Sequence, residues 1–159
     1  MKAFRQVCIS IAALVALGGT SSAQAPMSQT KQKALDRCYA NPSQYQRYCE
    51  VRDFIVPARG ALTIDGGKQG DVTVHGSDAR EVHVLATVKA EARTGTDARD
   101  VARTVQVRAG GTLLEATADW SEEVWSVSFE VWVPRDLPVT VTSDSGSVVV
   151  DGVKGWKHK

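Results

Sequence analysis

The sequence predicts a mainly β protein, an incomplete right-handed β-solenoid with one short helical insert and a disulfide-closed N-terminal segment. Residues 69–76 (QGDVTVHG) and 145–152 (SGSVVVDG) repeat one pattern, in which a Val-x-Val strand lies between two glycines. From Val51 onward, short stretches of alternating apolar and polar residues are separated by glycine-containing turns. Repeated short strands with glycine corners are typical of stacked coils.

The first 23 residues have the layout of a secretory signal peptide. Lys2 and Arg5 precede an apolar run over residues 7–17, and small residues follow at 18–23. The run is shorter than the roughly 20 residues that a membrane-spanning helix needs. We expect cleavage after Ala23 and export to the periplasm, the cell surface or the medium.

The charge balance argues against a nucleic-acid partner. Removing residues 1–23 from 159 leaves 136, enough for one domain, and takes Lys2 and Arg5 from the 19 basic residues. The remaining 17 basic residues face 18 acidic ones. A general nucleic-acid binder needs a basic surplus, and no integral membrane segment is expected after cleavage.

Two cysteines remain in the predicted mature chain, Cys38 and Cys49. An even number in an exported chain favours a disulfide, because export leads to an oxidising compartment. The N-terminal segment, residues 24–50, is therefore expected to carry a disulfide loop. Apolar and long side chains at helical spacing predict a short helix before that loop, over residues 30–37.

Residues 51–159 are read as one β domain. The clearest strands are residues 82–88 and 125–133, in which every second residue is apolar. A stripe formed by Ala98, Val101, Ala102 and Val105 predicts one helix, with Thr96 as its N-cap. The last two predicted strands are residues 139–142 and 148–150.

The sequence points to no catalytic residue, cofactor or metal site. The Gly66-Gly67 and Gly110-Gly111 pairs match no phosphate-binding motif and read as turns. The three histidines are too few and too scattered for a metal site, and His75 and His83 are expected to be solvated, because they lie opposite the apolar faces of their strands. Carboxylates near the turns are explained by turn chemistry.

A possible contact surface is formed by Trp120, Trp132, Glu122 and Glu123. Trp125 shares the apolar face of its strand and is predicted to be core, whereas Trp132 lies on the opposite face. Exposed aromatic side chains favour contact with a partner or a sugar. For Trp132 we favour the alternative that a second layer covers it, because this region could be buried on both faces.

Glycines and strand patterns over roughly residues 51–155 resemble a bacterial domain-of-unknown-function family described as putative adhesins. The stretches that carry this resemblance are residues 62–67, 70–76, 82–88, 98–102, 126–134 and 145–152. The resemblance implies an exported adhesin-like β-solenoid, and the family has no established catalytic residues to carry over. Such domains usually continue with further coils, so a C-terminally truncated member is expected.

These observations lead to a non-enzymatic, exported, adhesin-like domain for cell-surface or envelope interaction, with an envelope protein or a glycan as partner. One alternative is a carbohydrate-active enzyme or sugar-binding module that uses Asp119, Glu122, Glu123 and Trp120. Another is an envelope-stress sensor domain. The sequence does not identify the ligand or the oligomeric state.

Overall fold

A computed structural model describes residues 27–110, 112–121 and 124–159. The predicted signal peptide and the glutamates 122 and 123 lie outside the described residues. The helices are α1 (Met27–Ala40) and α2 (Gly95–Thr104). The strands are β1 (Gln46–Pro57), β2 (Leu62–Asp65), β3 (Val72–Ser77), β4 (Glu81–Ala92), β5 (Gln106–Gly110), β6 (Leu113–Thr117), β7 (Trp125–Pro134), β8 (Val139–Thr142), β9 (Val148–Asp151) and β10 (Trp156–His158).

The strands form two five-stranded mixed sheets. The first sheet has the order β1-β4-β7-β3-β9, and the second has the order β10-β8-β2-β6-β5. In the first sheet β4 pairs antiparallel with β1 and β7, whereas β3 pairs parallel with β7 and β9. In the second sheet all pairs are parallel except β5 with β6. The expectation that the protein is mainly β is therefore confirmed.

The solenoid expectation is wrong. A solenoid stacks similar coils in parallel, whereas β1, β4 and β7 are long and pair antiparallel over 8 to 12 residue positions. The two sheets are separate and not closed. Helices are present at both predicted places, α1 before the disulfide loop and α2 as the insert in the β region.

The core lies between the two sheets. In β4 and β7 every second residue is buried, because successive side chains of a strand point to opposite faces. The fully buried residues of the second sheet include Ile64 and Val141. Trp125 is 7% exposed, which confirms that it is a core residue. We call the face of the first sheet turned away from this core the outer face.

The two copies of the glycine repeat lie side by side. Strand β3 pairs parallel with β9, and Val72 faces Val148 at the start of the register. The glycines that flank the strands meet as well, since a Cβ added at Gly76 would stand 1.9 Å from the carbonyl oxygen of Gly152. At the other end, a Cβ added at Gly146 would stand 1.9 Å from the Gly70 carbonyl oxygen. The glycines of the repeat therefore permit close backbone approach.

Helix α2 begins two residues earlier than the sequence suggested. The N-cap is Thr94, whose Oγ1 accepts a hydrogen bond from the backbone N–H of Asp97 at 3.1 Å, so Thr96 is not the cap. The predicted apolar stripe is confirmed, since all four of its residues are buried. Helix α2 contacts β1 and β4, and Val101, Ala102 and Val105 of that stripe belong to the hydrophobic core.

Helix α1 packs on the outer face of the first sheet, where it contacts β1 and β4. Its Ala34 is buried, and so is Leu85, which β4 presents on the outer face. The predicted disulfide is present between Cys38 and Cys49 and joins the end of α1 to β1. The outer face is thus partly covered by a helix that is covalently tied to the sheet.

Candidate functional site

Trp120 projects from the loop between β6 and β7. The indole Nε1 of the core residue Trp125 donates a hydrogen bond to the backbone carbonyl of Trp120 at 3.1 Å. This contact uses the backbone of Trp120 and not its side chain, which is 51% exposed. The buried neighbour therefore anchors the loop while the second indole is presented to solvent.

The Trp120 side chain lines an open cleft of about 720 Å³, which we call the Trp120 cleft. A second exposed aromatic, Tyr45 at 49% exposure, lines the same cleft from the segment before β1. The remaining lining residues are Glu91, Ala92, Arg93, Asp97, Asp100, Val101 and Val124. The cleft therefore combines two exposed aromatic rings with three carboxylates and one guanidinium.

Two carboxylates of the Trp120 cleft, those of Glu91 and Asp100, are paired with arginines. Burial raises the pKa of Glu91, but hydrogen bonding and charge from Arg47, with the charge of Lys89, outweigh burial and lower it below its ordinary value. The Arg47 guanidinium lies 2.6 Å from the Glu91 carboxylate. On α2, Asp100 pairs with Arg103 at 3.1 Å. These carboxylates can accept hydrogen bonds from hydroxyl groups of a ligand.

Trp132 lies elsewhere, on the outer face of the first sheet. It is half-buried and lies between two histidines in one cross-strand row, since His83 of β4 and His75 of β3 are its register partners. The ring of His75 stacks on Trp132 with centroids 5.4 Å apart, and that of His83 lies 5.9 Å away. The face of Trp132 predicted from the sequence is therefore correct, and two imidazoles flank it there.

Both histidines contact a carboxylate that also binds a cation of α1. Asp53 lies 2.6 Å from His83 Nε2 and 2.6 Å from Lys31 Nζ. Glu130 lies 3.5 Å from His75 Nε2 and 2.8 Å from an Arg37 nitrogen.

Neither histidine is fully solvated, because their side chains are 34% and 25% exposed. Burial raises the pKa of Asp53, and the hydrogen bonds and charges of Lys31 and His83 lower it to a value below the ordinary one. This arrangement fastens α1 to the sheet.

The two described residues of the predicted contact surface, Trp120 and Trp132, lie in different places. Trp120 lies beside the Trp125 end of β7. Trp132 is seven residues further along that strand, which places it about 23 Å from Trp125 at the rise of an extended strand. The glutamates 122 and 123 lie outside the described residues. Tyr45 was missed, although three tyrosines within the short stretch 39–48 were visible in the sequence.

Over residues 27–110, 112–121 and 124–159, no group of three or more His, Cys, Asp or Glu side chains could hold a metal ion. In the same part of the chain, neither helix is long and apolar enough to cross a bilayer.

Comparisons with known proteins show no family. No family model matches the chain, and no curated protein matches it either. Among solved structures, a "putative lipid binding protein" from Parabacteroides distasonis aligns with 12% identity and a TM-score of 0.42, covering 64% of this chain and 40% of its own.

A "putative adhesin" from Bacteroides fragilis aligns with 13% identity and a TM-score of 0.35, covering 74% of this chain and 57% of its own. The chain thus spans less than two thirds of the length of either structure.

Proposed function

We propose that the chain is an exported, non-enzymatic interaction domain that binds a glycan of the envelope or cell surface in the Trp120 cleft. The observation that carries the proposal is the pair of exposed aromatic rings, Trp120 and Tyr45, lining one cleft of about 720 Å³. The apolar C–H faces of a sugar ring pack on aromatic rings, and its hydroxyls donate to carboxylates such as Asp97 and Asp100. Ligand pockets commonly combine apolar walls with a few polar groups in this way.

Export is supported by two independent features. The first 23 residues have the layout of a signal peptide. The Cys38–Cys49 disulfide is of the kind that forms and persists in the periplasm or outside the cell.

The non-enzymatic assignment is supported by the lowered pKa of the Glu91 carboxyl group. A glycosidase acid needs a raised pKa so that it stays protonated near neutral pH. The pKa of Glu91 is lowered, because Arg47 binds its carboxylate. Glu91 is therefore suited to accept hydrogen bonds and not to donate a proton.

A glycan array, followed by calorimetry on the glycans retained, tests the proposal. The Trp120→Ala variant should keep the fold, because alanine retains the carbonyl that accepts from Trp125. We expect it to bind at least about 30-fold more weakly, the loss typical of a hot-spot aromatic residue. Trp156→Ala is the matched control, since Trp156 is also exposed, at 44%, but lies on β10 of the second sheet.

Two results would contradict the proposal. The first is that Trp120→Ala binds glycans as tightly as Trp156→Ala does. The second is release of sugar products from envelope polysaccharides that is abolished in the Glu122→Gln or Glu123→Gln variant, which would favour the carbohydrate-active enzyme.

A further inference from the structure

A second, smaller cleft lies on the outer face of the first sheet, at the C-terminal end of α1. Its volume is about 270 Å³, and we call it the polar cleft. The helix side contributes Ala34, Arg37, Cys38 and Asn41, and the sheet side contributes Arg47, Gln69, Asp71, Thr73, Thr87, Lys89, Ser126, Ser128, Phe129 and Glu130. Most of these residues carry hydroxyl, amide or charged groups, so the cleft is suited to a polar ligand.

The floor of the polar cleft is a block of four polar side chains on two paired strands. Thr87 is the register partner of Ser128, and Lys89 is the register partner of Ser126. Ser126 is 7% exposed although it lies on the outer face. The Ser128 hydroxyl oxygen accepts a hydrogen bond from the backbone N–H of Asp71 at 3.3 Å, so its own proton can be donated.

Most charges of the polar cleft are already paired. Arg37 binds Glu130 at 2.8 Å. Arg47 binds Glu91, and it also donates to the backbone carbonyls of Cys38 and Asn41 at 2.8 and 2.7 Å.

Lys89 differs from both arginines. It is half-buried, and within the described residues it makes no hydrogen bond or ion pair with another side chain, although its charge acts on the Glu91 carboxylate through space. A half-buried lysine that shares the cleft floor with three hydroxyl-bearing residues favours an anion, because each of these groups can donate a hydrogen bond to oxygen.

We propose that the polar cleft binds a monosaccharide-sized ligand that carries a carboxylate, phosphate or sulfate group. Lys89 supplies the cation, and Thr87, Ser126 and Ser128 supply hydroxyl groups to the anionic oxygens. The volume lies near the lower end of the ~300–1,000 Å³ that is usual for ligand pockets, which favours a single ring over an oligomer.

The roof of this site is the end of α1, and the disulfide holds it in position. Cys38 lines the cleft and is bonded to Cys49 of β1. Arg37 and the carbonyls of Cys38 and Asn41 add the non-covalent contacts described above. Loss of the disulfide should therefore loosen the end of α1 and lower the affinity for the ligand, while the residues of the cleft floor stay in place.

The test is an NMR titration of the mature protein with four related ligands: glucuronate, glucose 6-phosphate, glucose 6-sulfate and glucose. We expect saturable shifts of the amides around Lys89 and Ser126 at millimolar concentration for at least one anionic ligand, and none for glucose. Comparing the three anions identifies the oxyanion that the site prefers.

Three variants test where the anion binds. In Lys89→Met we expect affinity at least about tenfold lower, the fold-change for loss of one charge-assisted hydrogen bond. Lys157→Met, which removes an exposed strand lysine of β10, should bind like the wild type. The Cys38→Ser/Cys49→Ser double variant should bind more weakly than the wild type.

Several outcomes would overturn the proposal: no saturable shift with any anion, equal shifts with glucose, or equal affinity of Lys89→Met and Lys157→Met. The Trp120→Ala variant separates this site from the Trp120 cleft. It should bind the small anion with unchanged affinity, whether or not the wild type binds a glycan.

Discussion

Replacing Gly76 by alanine tests whether the two copies of the glycine repeat must lie in direct contact. A Cβ at this position would stand 1.9 Å from the carbonyl oxygen and 2.4 Å from the carbonyl carbon of Gly152. Ordinary contact begins at 3.4 Å, so the shortfall is 1.5 Å (3.4 less 1.9). Both contacting atoms belong to the backbone, so rotation of a side chain cannot relieve the overlap.

The loss of stability in Gly76→Ala depends on which part of the backbone must move to relieve the overlap. Gly152 has a φ of +68°, in the left-handed region, and its turn directly follows β9. Relief of the overlap would separate the end of β9 from β3 and lengthen their hydrogen bonds. We expect a loss of about 3 kcal/mol in the free energy of unfolding, the upper end of the range for overpacking.

The Gly110→Ala variant is the matched control, and an unfolding assay compares it with Gly76→Ala. In Gly110→Ala a strand glycine is replaced where nothing lies within 4 Å of the new Cβ, so its free energy of unfolding should stay within about 0.5 kcal/mol of the wild type. Urea or thermal unfolding followed by circular dichroism measures both variants. A loss of about 3 kcal/mol corresponds to a melting temperature roughly 6–12 °C lower for a domain of this size. Equal stability of the two variants would refute the reasoning.

Two further changes, one to a helix cap and one to the disulfide, are expected to lower stability. Thr94→Ala removes the N-cap of α2 and should cost about 1 kcal/mol, whereas Thr96→Ala should cost clearly less, as chemical denaturation can show. Reduction of the Cys38–Cys49 disulfide, followed by urea unfolding, should lower the free energy of unfolding by about 2–3 kcal/mol, because the closed loop is short.

Asp53 has a folded pKa below its ordinary value of 3.8, so its stabilising contribution is present above that pH and is lost as the pH falls through the lower folded pKa. Asp53→Asn should therefore flatten the acid side of a stability–pH curve, and an unchanged slope would contradict the role assigned to its contacts with Lys31 and His83.

The repeat was the most informative part of the sequence for local geometry. Two short strands with the same glycine flanks suggested equivalent positions, and β3 and β9 are indeed neighbours in register. The faces of β4 and β7 were also predicted correctly, because alternation of apolar residues fixes which side chains point to the core. The strand β10 was missed, since the three exposed residues Trp156–His158 show no burial pattern.

Strand direction could not be predicted from the same pattern. Alternation has a period of two in parallel and antiparallel strands alike, so β4 and β7 read like the rungs of a coil. The length of β4 was the missing information. Strand β4 extends to Ala92, four residues beyond the predicted end, and its 12 residues span about 40 Å. A strand of this length fits a long antiparallel pairing with β1 and not a short, repeated coil.

Candidate sites were harder to predict because they depend on contacts between segments that are distant in sequence. Trp120 was predicted as a contact residue, but Tyr45, which lines the same cleft, is distant from it in sequence. Tyr45 reaches the cleft because the start of β1 pairs with the end of β4. Lys89 and Ser126 each look like an ordinary surface residue of a strand. Their shared position becomes visible when the register of β4 with β7 is known and α1 is seen to cover the same face.

The central strand β7 places the residues that stabilise the core on one face and the residues that line the polar cleft on the other. Its inward residues, Val127 and Val131 among them, are buried in the core, and its outward residues Ser126 and Ser128 line the polar cleft. A strand paired on both sides is held in position by its neighbours, so side chains on its outer face are presented on a rigid element. Substitutions of outward residues can therefore change binding without emptying the core. The same holds for β4, which is paired with β1 and β7 and carries Lys89 on its outer face, so Lys89→Met is interpretable as a test of ligand contact.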